Sequence, residues 1–224
     1  MISVLVTTHN HGMFLKKCIS SILNNDKKYL KEIIIVDDSS IDNTSEIINK
    51  FKKKNKKIKY FNVKFCSPAK SKNYAAKISR GKWITFIDGD DYVSKNYLKD
   101  YVFFLKKNNP DFVYTNIKIL INEKILLEKQ NRKGILYILN NPHGSGCLIK
   151  NQLWRKVGGI DEKMKFQDDF NFWCKINFRK KTNIYYLNIA NYIYRRHSYN
   201  RSKNYLQKYF YKLLSLFAYL FKKI

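Results

Sequence analysis

Residues 67–92 read SPAKSKNYAAKISRGKWITFIDGDDY. The first fifteen form a helical segment with Gly81 as its stop. KWITFID, residues 82–88, follows as an apolar strand. That strand runs straight into Asp88, Asp90 and Asp91, three carboxylates within four residues. Charges this close repel one another, so something must hold them. The choices are a metal ion, a helix N-terminus or a solvated turn.

The same alternation runs back to the start of the chain. Ile2 to Thr8 is a short β-branched run, hence a buried strand. In the following HNHGMFLKKCISSILNN, residues Phe14, Leu15, Cys18, Ile19, Ile22 and Leu23 share one helical face. KEIIIVDDSS is a second strand ending in acids. SSIDNTSEIINKFKKKN is a helix behind an Asp/Asn cap region, with Ile47, Ile48 and Phe51 inward. KIKYFNVKF is a third strand. Strands alternating with helices predict parallel pairing through helical crossovers, an α/β layer structure. Ligands of such sheets bind beyond the carboxyl ends of the strands. Three strand ends deliver polar groups there: Thr7 to Asn10, Asp37 to Ser40, and Asp88 to Asp91.

The second half is less regular. NYLKDYVFFLKKN is a helix closed by Asn109-Pro110, and DFVYTNIKILINEKILLEK reads as two strands in a hairpin. A Pro/Gly-rich loop around His143, a short strand and a short helix follow. DDFNFWCKINFRK is a helix, NIYYLNIANYIYRRH is strand-like, and residues 205–224 form an aromatic, basic helix. No repeat or linker divides the chain.

Each cluster has a structural and a functional reading. Asp88 and Asp90 would converge on a hard divalent cation, with Gly89 permitting the tight turn; the alternative is a helix cap. The metal reading is preferred because two other polar strand ends lie beside it. Asp37 and Asp38 either accept hydrogen bonds from a ligand or make an Asx-turn. Asp168 and Asp169 suit the start of a helix electrostatically. As adjacent carboxylates they also suit a general base with a raised pKa. His143 is a substrate contact or a solvated loop residue. Arg195, Arg196, His197 and Arg201, near Ser198 and Ser202, grip phosphate or form a basic turn. Asp91 caps the next helix.

Composition narrows the partners. The chain has 224 residues, enough for one domain with a substantial core. Hydrophobic residues make up 45%, which excludes a disordered chain. A net charge of +27 predicts attraction to polyanions, although Lys-rich drift would give the same value. Lys is spread over the whole chain without a nucleic-acid motif, so no nucleic acid is expected. Cys18, Cys66, Cys147 and Cys174 lie far apart and read as buried free thiols. The N-terminus lacks signal-peptide features, and no apolar run is long enough to span a bilayer.

Taken together and in order, these segments resemble the family 2 glycosyltransferases. VLVTTHNHGMFLKKCISSIL looks like that family's opening strand and helix, and EIIIVDDSSIDNT like its second nucleotide-contacting segment. SKNYAAKISRGKWITFIDGDD resembles the A-R-N segment and D-x-D motif. GSGCLIKNQLWRKVGGIDEKMKFQDDFNFWCKI resembles the acceptor-side segment ending in the E-D motif.

The resemblance implies a GT-A fold: α/β, Rossmann-like, with a mixed, mainly parallel sheet flanked by helices. Residues 1–204 would form that domain. Residues 205–224 would form a C-terminal amphipathic helix that either packs or lies on an anionic membrane face. The resemblance further implies Thr7, Thr8, Asn10, Asp38, Lys72 and Asp88 at the donor nucleotide, and Asp90 on Mn2+ or Mg2+. Asp169 would be the catalytic base, with His143, Asp168, His197 and Ser202 at acceptor or diphosphate. Lys72 stands where the family usually has Arg, and Asp168 where it usually has Glu.

The implied reaction is an inverting transfer of a hexosyl or N-acetylhexosaminyl group from a UDP-linked donor. Its acceptor would be a glycan or lipid-linked hydroxyl in bacterial surface polysaccharide synthesis. The implied location is cytoplasmic, peripheral on the inner face of the membrane. A sugar-phosphate nucleotidyltransferase would instead need a Gly-rich loop where this chain reads TTHNHGMF.

Overall fold

The structure is a computed structural model describing residues 1–130, 144–164, 167–179, 181–198 and 210–216. Strand β1 (Ile2–Thr8) leads to α1 (Gly12–Leu23), β2 (Leu30–Asp38), α2 (Thr44–Lys54), β3 (Ile58–Val63), α3 (Pro68–Ile78) and β4 (Trp83–Asp88). Then come β5 (Tyr92–Val93), α4 (Tyr97–Lys107), β6 (Phe112–Ile121), β7 (Lys124–Glu128) and β8 (Leu148–Lys150). The helices α5 (Asn151–Lys156) and α6 (Asp168–Asn177) precede the long β9 (Ile184–Arg195).

One mixed sheet results, in the order β3-β2-β1-β4-β8-β6-β9-β5, with β7 paired to β6. Strands β1 to β4 are mutually parallel, as the alternation requires. β8 runs antiparallel between β4 and β6, and β9 runs parallel to β6. The expected hairpin is β6–β7. Its two-residue turn places Asn122 and Glu123 at φ 45° and 64°, the left-handed pair that a tight hairpin turn demands.

Strand pleating divides the core in two. Val4, Val6, Ile33, Ile35 and Ile87 face α1, α2 and α4. Leu5, Ile34, Val36, Ile84 and Phe86 face α3, α5 and α6. Of the α1 face, Leu15, Cys18, Ile19 and Ile22 are fully buried, whereas Phe14 turns toward the sheet's carboxyl edge.

Three local expectations are corrected. Gly81 does not end α3 in a left-handed cap. The helix stops at Ser79 in extended backbone, and Gly81 is needed because a Cβ there would lie 2.6 Å from the Ser3 backbone nitrogen. Asp91 caps no helix; its carboxylate is buried against β9. Cys66 is exposed, while the other three thiols are buried.

Candidate active site

The carboxyl edge of β1, β2 and β4 is laced together before any ligand is considered. His9 Nδ1–H donates to the Asp38 carbonyl at 2.6 Å, and the Asn10 N–H donates to Ser40 Oγ at 2.8 Å. The Ile41 N–H donates to Asn10 Oδ1 at 2.8 Å, and the Gly12 N–H to Asp42 Oδ2 at 2.9 Å. Asn10 itself sits at φ 52°, a conformation that Asn tolerates well. Thr8 and Asn10 therefore belong to one braced loop pair.

Asp38 is the anchor of the next turn. Its Oδ1 accepts the N–H groups of Phe65 and Cys66 at 2.8 and 2.9 Å. Its Oδ2 accepts the Ser67 N–H at 2.9 Å and the Ser71 hydroxyl at 3.0 Å. This is the turn-forming role, and it fixes the entry to α3, which carries Lys72. Asp37 is fully buried beside it, accepting from Ser40 N–H and Tyr60 OH.

The three carboxylates of the acidic turn separate into three environments. Asp88 receives Ser145 Oγ at 2.7 Å on one oxygen and Thr7 Oγ1 at 3.5 Å on the other. Asp90 Oδ2 receives His197 Nε2 at 3.0 Å, with His11 Nε2 at 3.9 Å. Asp91, fully buried, receives the Arg195 N–H at 2.8 Å and the Tyr192 hydroxyl. Burial, and then the charges of Asp90 and Asp88, push its carboxyl well above the usual carboxylate range. Gly89 has no room for a side chain: a Cβ would lie 2.6 Å from Thr8 Oγ1 and 3.1 Å from His11 Nδ1.

Lys72 joins the two halves of the site. Its ammonium lies 3.1 Å from Asp168 Oδ2, with both side chains largely buried. Burial alone would lower its pKa. Asp168, Asp88 and Asp169 outweigh burial and raise it above the ordinary lysine value, so it stays charged. The lysine thus faces the end of β4 and the start of α6 together. Asp168 and Asp169 occupy the first turn of α6, as their favourable dipole position predicts. Asp169 Oδ1 accepts the Phe170 N–H at 2.8 Å. The neighbouring Asp168 carboxylate is ion-paired with Lys72, so the two acids of this turn have different partners. A narrow cleft between Lys72 and Asp169 is floored by Phe86, Trp154 and Phe172.

Residues that the sequence reading passed over complete the site. Ser145 holds Asp88, and Gly144 leaves room for Asp169: a Cβ at 144 would lie 2.3 Å from the Asp169 Cβ. The Gly-Ser-Gly run at 144–146 was the available signal. The rings of Phe14 and His197 lie 4.5 Å apart, and the Arg195 guanidinium sits 4.7 Å over Phe14. His143 and Ser202 lie outside the described residues.

The residues present fit a divalent ion completed by ligand oxygens. Asp90 offers a hard carboxylate suited to Mn2+, with the imidazoles of His197 and His11 at 3.0 and 3.9 Å from its Oδ2. Beside it, Thr8 Oγ1 and His11 Nδ1 are buried without a hydrogen-bond partner among the described residues. No closed set of three or more protein ligands occurs among the described residues.

The model of the glycosyl transferase family 2 matches residues 3–206. The chain belongs to glycosyl transferase family 2. Among the relatives of this family 2 chain is the Staphylococcus aureus poly(ribitol-phosphate) beta-N-acetylglucosaminyltransferase TarS. The two are 32% identical over 118 residues, 52% of this chain and 21% of TarS. The chain thus spans about a fifth of that relative's length. The structure of S. aureus TarS 1–349 in complex with UDP-GlcNAc superposes with a TM-score of 0.76 at 23% identity, over 91% of this chain and 61% of that one. The Pyrobaculum calidifontis mannosyltransferase PcManGT, in complex with GDP-Man and Mn2+, gives 0.73 at 16% identity, over 99% and 64%. These likenesses show the GT-A fold for this family 2 chain.

Proposed function

We propose that this chain transfers a sugar from a UDP-linked donor to a hydroxyl of a glycan or lipid-linked acceptor, with inversion and with divalent-metal assistance. The observation that carries the reading is Lys72. One buried ammonium faces Asp88 on the donor side and Asp168 and Asp169 on the acceptor side. The UDP donor is supported by the TarS complex, and the metal by the Mn2+ of PcManGT.

Thr7, Thr8 and Asn10 line the donor pocket, and Asp38 shapes its wall by holding the 65–67 turn. Asp88, fixed between Thr7 and Ser145, presents its carboxylate edge to the ribose. Asp90 would hold the metal ion, with His197 beside it. When bound, that ion supplies charge neutralisation for the departing diphosphate. Lys72 adds a second positive charge at the cleft, as a point charge without the fork of an arginine. Asp169 accepts the proton of the acceptor hydroxyl as that oxygen bonds to the anomeric carbon. The bond from that carbon to the nucleotide diphosphate breaks on the opposite face. No covalent enzyme intermediate is needed.

Residues 1–204 act as the transferase unit, and the C-terminal helix serves as a membrane-surface contact on the cytoplasmic face. Support for that contact is the described part of the helix, 210–216, where Phe210, Leu213 and Leu214 are exposed. Among the described residues no helix is long and apolar enough to cross a membrane.

The test is a panel of nucleotide-sugars with Mn2+, scored for nucleotide release. Transfer from a UDP-sugar is expected, with Asp90→Ala inactive and Asp169→Asn still binding donor but not transferring. Full activity of either variant would remove that residue from the mechanism. No turnover of any donor would remove the reading.

A further inference from the structure

A second polar concavity lies at the opposite end of β4. It is lined by Ser79, Arg80, Lys82, Lys150, Asn151, Gln152 and Arg155, and its volume is about 340 Å3. In the sheet register Trp83 pairs with Lys150, so this hollow sits at the amino edge of the strand whose carboxyl end carries Asp88. The strand is six residues long, so its two ends lie roughly 17 Å apart at the usual strand rise. The concavity is therefore no part of the site described above.

Four cations and no carboxylate line it. Lys150 is paired with Asp111 at 3.0 Å. Arg80 and Lys82 are exposed and form no ion pair with any described residue. Arg155 is held in place from behind. Its Nε donates to Asn151 Oδ1 at 3.2 Å, and its Nη2 to the carbonyl of Lys77 at 3.1 Å. Asn151 is in turn buried, donating to Ser79 Oγ at 3.0 Å and to the Gly81 carbonyl at 2.9 Å. Arg155 Nη2 also donates to the Ser79 carbonyl at 3.4 Å, which leaves Nη1 as the donor available to an anion. A guanidinium braced in this way loses little freedom on meeting one. Such bracing distinguishes this hollow from the solvated lysines elsewhere on a +27 chain.

We infer that this concavity binds linked phosphoryl groups, as in an oligophosphate, with Arg80, Lys82 and Arg155 as the anion contacts. The open hollow, at about 340 Å3, is larger than one phosphate requires. The source is taken to be soluble rather than a lipid headgroup, because the exposed apolar residues of 210–216 do not line the hollow.

The test is calorimetric titration of the full chain with tripolyphosphate in metal-free buffer, with UDP in excess, so that no divalent ion competes for the polyphosphate. The double variant Arg80→Ala/Lys82→Ala is compared with Lys52→Ala/Lys53→Ala, which removes equal charge from the exposed end of α2. One-to-one binding is expected, weakened about tenfold or more in the first variant and less than about twofold in the second. Equal weakening in both would reduce the effect to net charge and overturn the site. Parallel sedimentation with phosphatidylglycerol vesicles separates the sources. If only vesicle binding depends on Arg80 and Lys82, the oligophosphate site is overturned in favour of a membrane face. The outcome is independent of whether the donor reading holds, since sugar transfer is not the readout.

Discussion

Replacing Asp38 by Asn separates two roles that the sequence alone left level. The carboxylate accepts four hydrogen bonds, from Phe65, Cys66 and Ser67 N–H groups and from the Ser71 hydroxyl, at 2.8 to 3.0 Å. An amide has one acceptor oxygen. If that oxygen stays with Phe65 and Cys66, the new NH2 meets the Ser67 N–H donor to donor. The Ser71 hydroxyl can rotate and accept instead. One buried bond is then lost outright and the others lose their charge assistance. Leaving a buried donor unpaired costs about 1–3 kcal/mol, and weakening the remaining bonds brings the total to roughly 3–5 kcal/mol. Cys66 adds to this, since its φ of 49° needs the surrounding bonds to hold it. Domains are stable by only about 5–15 kcal/mol, so Asp38→Asn should unfold at markedly lower urea concentration. Circular dichroism against urea measures the stability, and UDP titration on the folded fraction measures binding. A variant that unfolds like the parent but no longer binds UDP would refute the reasoning. The carboxylate would then serve the nucleotide and not the turn.

Two other perturbations follow from the same geometry. Asp91 has a raised folded pKa because it is buried beside Asp90 and Asp88. Its contribution to stability is therefore fully present below the unfolded carboxylate pKa and is lost as pH rises through the folded value. Urea unfolding at a series of pH values should show that decline, and Asp91→Asn should flatten it; an unchanged slope counts against the assignment. Gly144→Ala drives a Cβ to 2.3 Å from the Asp169 Cβ, so Asp169 must move. A displacement of about 1 Å costs on the order of a hundredfold in rate, with donor affinity kept. Equal kcat in steady-state assays would show that Asp169 tolerates the shift.

The first half of the fold was legible because its signals are local. Buried strands of parallel sheets are continuous apolar runs, and the helices between them carry one-sided stripes, so β1 to β4 and α1 to α3 followed from the chain directly. The mixed part depends on long-range pairing. Nothing in Leu148–Lys150 announces that it runs antiparallel between β4 and β6. Nor does Tyr92-Val93 announce its pairing with β9. The site divided the same way. Asp88, Asp90, Lys72 and Asp169 stand out in the sequence by their motifs. Ser145, Gly144 and Phe14 act only through neighbours 57, 25 and 183 positions away, separations read from Asp88, Asp169 and His197 respectively.

The acidic turn is explained by that long-range part. Each of its carboxylates is answered by different side chains or backbone: Asp88 by Ser145, Asp90 by His197, Asp91 by Tyr192 and the Arg195 backbone. Two of those three partners lie on β9 or just beyond it. β9 therefore acts as more than a late strand of the sheet. It buries Asp91, which roots the turn, and it carries His197 to Asp90, where Phe14 of α1 packs at a tilt against the imidazole. An acidic cluster that local sequence could assign equally to a cap is sorted into three distinct environments only once the chain returns to it. The repulsion that first marked the stretch is met by three separate sets of donors. Of the three carboxylates, only Asp90 is met by imidazoles, His197 at 3.0 Å and His11 at 3.9 Å.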